Sequence, residues 1–182
     1  MNKELIRISK FLSLVLRHKP ETIGITLDPQ GWVDVDVLLA ASRRAGVPLT
    51  GEILRQVVAQ NNKQRFALSP DGLRIRANQG HSVPVDLGLS PRIPPKHLFH
   101  GTATRFLSSI AEKGLLPGRR THVHLSVDEQ TARAVGRRHG TPVILTVQAR
   151  RMHDEGFLFY CSDNGVWLTA TVPPEFLIFP AS

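Results

Sequence analysis

Cysteine is nearly missing from this chain of 182 residues, which has only Cys161. That excludes an intrachain disulfide framework and a zinc site built on several thiolates, and it fits a reducing, cytoplasmic setting. The common cofactor fingerprints are missing too. There is no Gly-x-Gly-x-x-Gly run, no Walker-type phosphate loop and no His-Glu-x-x-His zinc helix. Long apolar runs are absent. The stretch Phe11–Leu16, flanked by Lys10 and Arg17, is too short to cross a bilayer or to form a signal-peptide core. No internal repeat is visible, and a membrane partner is not expected.

Hydrophobic residues make up 41% and charged residues 21%, enough apolar content for a core and against global disorder. The net charge is +8. Residues 1–94 hold 13 Lys and Arg against 8 Asp and Glu, and residues 95–182 hold 10 against 7. Both halves are therefore basic, which suits an anionic partner. The segment 83–95 contains Pro84, Pro91, Pro94 and Pro95 and reads as a stiff linker. The expected domains are 1–82 and 96–182.

In the first domain, Leu5, Ile8, Phe11, Leu12, Val15 and Leu16 recur at helical spacing and predict one buried face. Pro20 ends that helix near Arg17 or His18. An arginine fork and an imidazole thus sit at the end of a core-anchored helix, where the fork matches phosphate or carboxylate oxygens. A cationic helix terminus favoured by the dipole is the plainer reading. Asp34 or Asp36 can cap a second helix to about Ala45, and Thr50 a third through Val58. Lys63–Leu68 and Leu73–Ala77 then alternate around Ser69-Pro70-Asp71-Gly72, which predicts a β-hairpin. Three helices followed by a basic hairpin give the order of a winged-helix module.

The second domain predicts mixed α/β structure. Strands are expected at His97–His100, His122–Ser126, Val143–Val147, Phe157–Cys161 and Gly165–Thr169, with helices at Thr104–Lys113 and Asp128–Arg138. Short strands and few helices suggest a split sheet. His122 and His124 share a strand face, but no third metal ligand of suitable spacing stands out. His100-Gly101-Thr102, His124-Leu125-Ser126, Gly136-Arg137-Arg138 and Asn164-Gly165-Val166-Trp167-Leu168-Thr169 each have a structural reading alone. Their order is the stronger signal.

That order, with Arg17-His18 and Gln64-Arg65-Phe66 in front, resembles the NAD-dependent RNA 2′-phosphotransferase family along essentially the whole chain. The resemblance implies an α+β protein with an N-terminal winged-helix RNA lobe and a C-terminal lobe of ADP-ribosyltransferase-like, split-sheet fold. It implies NAD as a consumed co-substrate, no metal, and an RNA with an internal 2′-phosphate, tRNA included, as partner. Arg17, His18, Arg65 and Arg138 match the family's catalytic basic set. The Gly-x-Arg register favours Arg138 over Arg137. His18 either donates to the phosphate or moves a proton. His100, Gly101, Thr102, His124, Ser126, Asn164 and Val166 match NAD-binding positions. Many ADP-ribosyltransferases place a glutamate where Asn164-Gly165-Val166 stands; a carboxylate there would repel an incoming phosphate. Two alternatives use the same motifs in part: ADP-ribosyl capping of terminal phosphates on nucleic acid, and a non-enzymatic winged-helix regulator.

Overall fold

Leu5, Ile8, Leu12, Val15 and Leu16 are buried along one face of α1 (Lys3–Arg17), as their spacing requires, while Phe11 is only partly covered. The Asn2 side chain accepts the Leu5 N–H at 2.8 Å and caps the helix start. His18 is the C-terminal cap, and Pro20 opens a short 3-10 turn, Pro20–Ile23. This computed structural model describes residues 2–60 and 64–180. The chain divides into two compact units, Met1–Gly88 and Leu89–Ser182, so the division falls inside the proline-rich stretch. The architecture is α+β.

The first unit adds β1 (Val33–Asp34), α2 (Val35–Arg44), α3 (Gly51–Gln60), β2 (Phe66–Leu68) and β3 (Arg74–Ala77). The three strands form an antiparallel sheet in the order β1-β3-β2, with Phe66 opposite Ala77 and Val33 opposite Ile75. Of the two expected caps for α2, Asp34 holds the position, without a side-chain bond to the helix. Thr50 Oγ1 accepts the Ile53 N–H at 3.2 Å at the start of α3. The hairpin turn is held by Asp71, whose Oδ1 accepts the Ser69 hydroxyl at 2.6 Å and the Leu73 N–H at 3.0 Å. β2 starts at Phe66, later than the alternation predicts. Gln64 has φ of 46°, which breaks the extended run, and Lys63 lies outside the described residues.

The second unit contains β4 (Leu98–Ala103), α4 (Leu107–Lys113), β5 (Val123–Leu125), α5 (Glu129–Arg137), β6 (Pro142–Val147), α6 (Ala149–Asp154), β7 (Phe159–Cys161), β8 (Trp167–Thr169) and β9 (Leu177–Ile178). Two antiparallel sheets, β4-β6-β9 and β5-β8-β7, are joined by a bridge between Phe99 and Ser126. Leu98, Leu125, Leu145, Phe159 and Phe176 form the centre of the core. The expected helix 104–113 begins as a 3-10 turn, Thr104–Phe106, before α4. The last strand of the expected hairpin starts at Trp167, because 162–166 is a tight turn with Gly165 at φ of 84°. Among the described residues, no helix is long and apolar enough to cross a membrane.

Gly101 is fixed by packing. A Cβ there would collide with the Ala132 carbonyl of α5 and lie 2.9 Å from the Gly136 nitrogen. One on Gly136 would lie 2.6 Å from the Thr102 carbonyl oxygen. Glycine at both positions, with buried Ala132, lets α5 lie directly on β4.

Candidate functional site

In the first unit, Arg17 ends α1 and His18 follows it, both partly buried. The segment that returns from β3 runs against them. The Arg17 carbonyl accepts the N–H of Ser82 at 2.9 Å and of Val83 at 3.2 Å. His18 Nδ1 lies 2.9 Å from Ser82 Oγ. Gly80 adopts φ of 90°, and a Cβ there would sit 3.3 Å from the guanidinium carbon of Arg17, so the glycine makes room for that fork. Arg65, just before β2, joins the same segment: its carbonyl accepts the Asn78 N–H at 2.8 Å, and the Asn78 amide donates to the Gln64 carbonyl. The structure therefore ties Arg17, His18 and Arg65 to one stretch, Asn78–Val83.

That stretch is unusually polar for its depth. Asn78, Gln79 and His81 are all buried, and Asn78 Oδ1, Gln79 Oε1 and His81 Nε2 find no hydrogen-bond partner among the described residues. Burial, reinforced by the charges of Arg17, His18 and Arg76, pushes the His81 pKa down to about 4. His81 is thus neutral at pH 7 and adds no charge beside the Arg17 guanidinium.

In the second unit, β4 and β5 bring His100, His124 and Ser126 together. Ser126 exchanges backbone hydrogen bonds with Phe99, at 2.8 and 2.9 Å. His100 Nδ1 donates to the His124 carbonyl at 3.2 Å, which leaves its Nε2 as the lone-pair nitrogen of the neutral ring. Burial lowers the His100 pKa, against that hydrogen bond, with His139 and Arg120 adding to the depression. Arg120 Nη1 donates to His124 Nδ1 at 2.9 Å, so His124 carries its ring proton on Nε2. Thr102 is buried, and Gly101 faces the α5 backbone.

Asn164 and Val166 belong to the turn joining β7 to β8. The buried Ser162 hydroxyl lies between Asn164 Oδ1 and the Val166 carbonyl, 3.1 Å from the latter, and accepts the Val166 N–H at 3.2 Å. This fixes the turn with Asn164 partly exposed. Arg138 caps α5 and is exposed, as is Arg137. Among the described residues no group of three His, Cys, Asp or Glu is placed to hold a metal ion.

A model of the RNA 2′-phosphotransferase, Tpt1 / KptA family matches residues 3–171. The chain belongs to this family. It is 60% identical over 173 residues to a probable RNA 2′-phosphotransferase of Agrobacterium fabrum, covering 95% of this chain and 93% of the relative. It is 55% identical over 180 residues to one of Rhodopirellula baltica, covering 98% of both. A third, from Pseudomonas aeruginosa, is 56% identical over 176 residues, 96% of this chain and 97% of the relative.

In this member of the RNA 2′-phosphotransferase family, two groups beside the matched residues carry little signal in the sequence. Asn78, Gln79, His81 and Ser82 carry no periodic signature and lie where the first domain was expected to end. The usable signal was five residues, Asn78-Gln79-Gly80-His81-Ser82, without an apolar side chain, directly after the buried strand end Ala77. Arg120 lies in a loop before β5, and only its contact with His124 distinguishes it from neighbouring Arg119.

Proposed function

We propose that this protein removes an internal 2′-phosphate from RNA, such as a tRNA, in two steps that consume NAD. The supporting observation is the fixed basic pair Arg17-His18, bound by the Asn78–Val83 segment that also holds Arg65, within a chain matched to the family over residues 3–171. Helix, short strand, two helices and a hairpin in the first unit support a winged-helix RNA lobe. Two small antiparallel sheets joined by one bridge in the second support an ADP-ribosyltransferase-like lobe.

NAD is a co-substrate here, and the residues present fit it. His100 offers an acceptor nitrogen and His124 a donor N–H on adjacent strands, a complement to ribose hydroxyls and a carboxamide. Gly101, Thr102, Ser126, Asn164 and Val166 complete the proposed NAD-binding set. No metal is needed, because arginine forks supply the positive charge.

In the first step an oxygen of the RNA 2′-phosphate attacks C1″ of the nicotinamide ribose, and nicotinamide leaves. Arg17 and Arg65 hold the phosphate oxygens during this attack, and Arg138 is the fourth member of the basic catalytic set. In the second step the ribose 2″-hydroxyl attacks the phosphorus. The bond from phosphorus to the RNA 2′-oxygen breaks, giving 2′-hydroxyl RNA and ADP-ribose 1″,2″-cyclic phosphate. Positioning and charge stabilisation dominate that transfer. His18 takes the proton from the 2″-hydroxyl and returns one to the leaving RNA oxygen.

The test is incubation of the protein with a 2′-phosphorylated oligoribonucleotide, with and without NAD. Phosphate removal should require NAD and release nicotinamide. Release of inorganic phosphate without NAD would identify a simple phosphatase and end this reading.

A further inference from the structure

A histidine that exchanges protons with substrate needs one ring nitrogen fixed so that the other is directed and in the right tautomer. For His18 the structure supplies that fixing group. Its Nδ1 lies 2.9 Å from Ser82 Oγ. Ser82 is itself anchored beside His18, because its N–H and that of Val83 both donate to the carbonyl of Arg17, the preceding residue. Gly80, under the Arg17 fork, and buried His81 complete the turn that delivers this hydroxyl. The serine is therefore carried by backbone bonded to the helix end that carries His18.

We infer that Ser82 is a positioning residue for His18: its Oγ accepts a hydrogen bond from Nδ1–H, holds the ring plane and assigns Nε2 to proton exchange with the substrate. This rests on the reading that His18 moves a proton in the second step. As the bond from O2″ to phosphorus forms, Nε2 takes the 2″-hydroxyl proton. As the bond from phosphorus to the RNA 2′-oxygen breaks, the same proton passes to that oxygen. The other ring proton stays on Nδ1, hydrogen-bonded to Ser82 Oγ throughout, and that bond strengthens while the ring is an imidazolium. If the hydroxyl instead donated to Nδ1, the neutral ring would carry its proton on Nε2 and have no base for the ribose hydroxyl.

Two measurements on the full-length chain test this. Nitrogen-15 NMR of the His18 ring, with no ligand present, should show the Nδ1–H tautomer in the wild type. In Ser82→Ala the population should shift toward Nε2–H. Rapid-quench assays with 2′-phosphorylated RNA and NAD should show the second step slowed about tenfold in Ser82→Ala, the effect of one hydrogen bond to a charged ring. The first step should stay within about twofold by the same reasoning, and Ser82→Thr, which keeps the hydroxyl, should restore the second. A wild-type ring protonated on Nε2, a tautomer balance indifferent to Ser82→Ala, or equal slowing of both steps would each overturn the inference. If the wild type leaves the 2′-phosphate untouched, the proposed function fails instead, and the NMR result alone decides whether Ser82 positions the ring.

Discussion

Arg17 and His18 are adjacent, yet their surroundings differ. The Arg17 fork lies against Gly80, while the His18 ring is tied to Ser82. Removing one preorganised donor from a site that binds developing charge costs roughly 3–4 kcal/mol, or about 10²–10³ in rate. Arg17→Ala, Arg65→Ala and Arg138→Ala should each lose that much in single-turnover assays. Arg17→Lys should recover only part, because an ammonium lacks the fork. His18→Ala should let ADP-ribosylated RNA phosphate build up, since only the second step of the proposed reaction moves a proton between two oxygens. Loss confined to the first step would make His18 a phosphate-positioning residue instead.

His81 gives a prediction independent of activity. The unfolded chain takes a proton on this ring below its ordinary value of 6.5, whereas the folded protein resists until about 4. The unfolded state therefore binds more protons within that window, and stability falls as pH drops from 6.5 toward 4. The full contribution is present above the window and amounts to about 3 kcal/mol. Urea denaturation at pH 7 and pH 4.5 should show a larger loss for the wild type than for His81→Gln. Equal losses would show that the ring protonates as readily folded as unfolded.

At the level of elements, the contact between α5 and β4 is set by glycines. Gly101→Ala should destabilise the second unit by about 3 kcal/mol, the upper part of the usual overpacking range, because the obstruction is helix backbone and not a movable side chain. Thermal or urea unfolding measures it, and an unchanged midpoint would contradict the packing role. The same contact shows what a sequence reveals. The stripe on α1, the Asp128 cap of α5, the Thr50 cap of α3 and the hairpin turn at Asp71 are local, and their residues announce them. β1 and β9 have two residues each and exist through pairing with β3 and β6, so no local pattern could reveal them. α6 leaves no local signal for a similar reason, since its six residues are too few for a periodic face. Arg17, His18 and Arg65 were legible as motifs. The polar segment that binds them was not, because its buried side chains are defined by tertiary neighbours.

For the whole molecule, each unit has its own core and its own portion of the motif set. Both halves of the sequence are basic, in keeping with a polyanionic substrate. In the proposed reaction the RNA phosphate is transferred onto ADP-ribose and is neither hydrolysed nor left capped on the RNA. The most direct measurement is to label the 2′-phosphorus of an oligoribonucleotide and follow the label during reaction with NAD. All of it should move to ADP-ribose 1″,2″-cyclic phosphate, with one nicotinamide released for each phosphate removed. Label recovered as inorganic phosphate, or retained on RNA as a stable ADP-ribosyl phosphate, would contradict it.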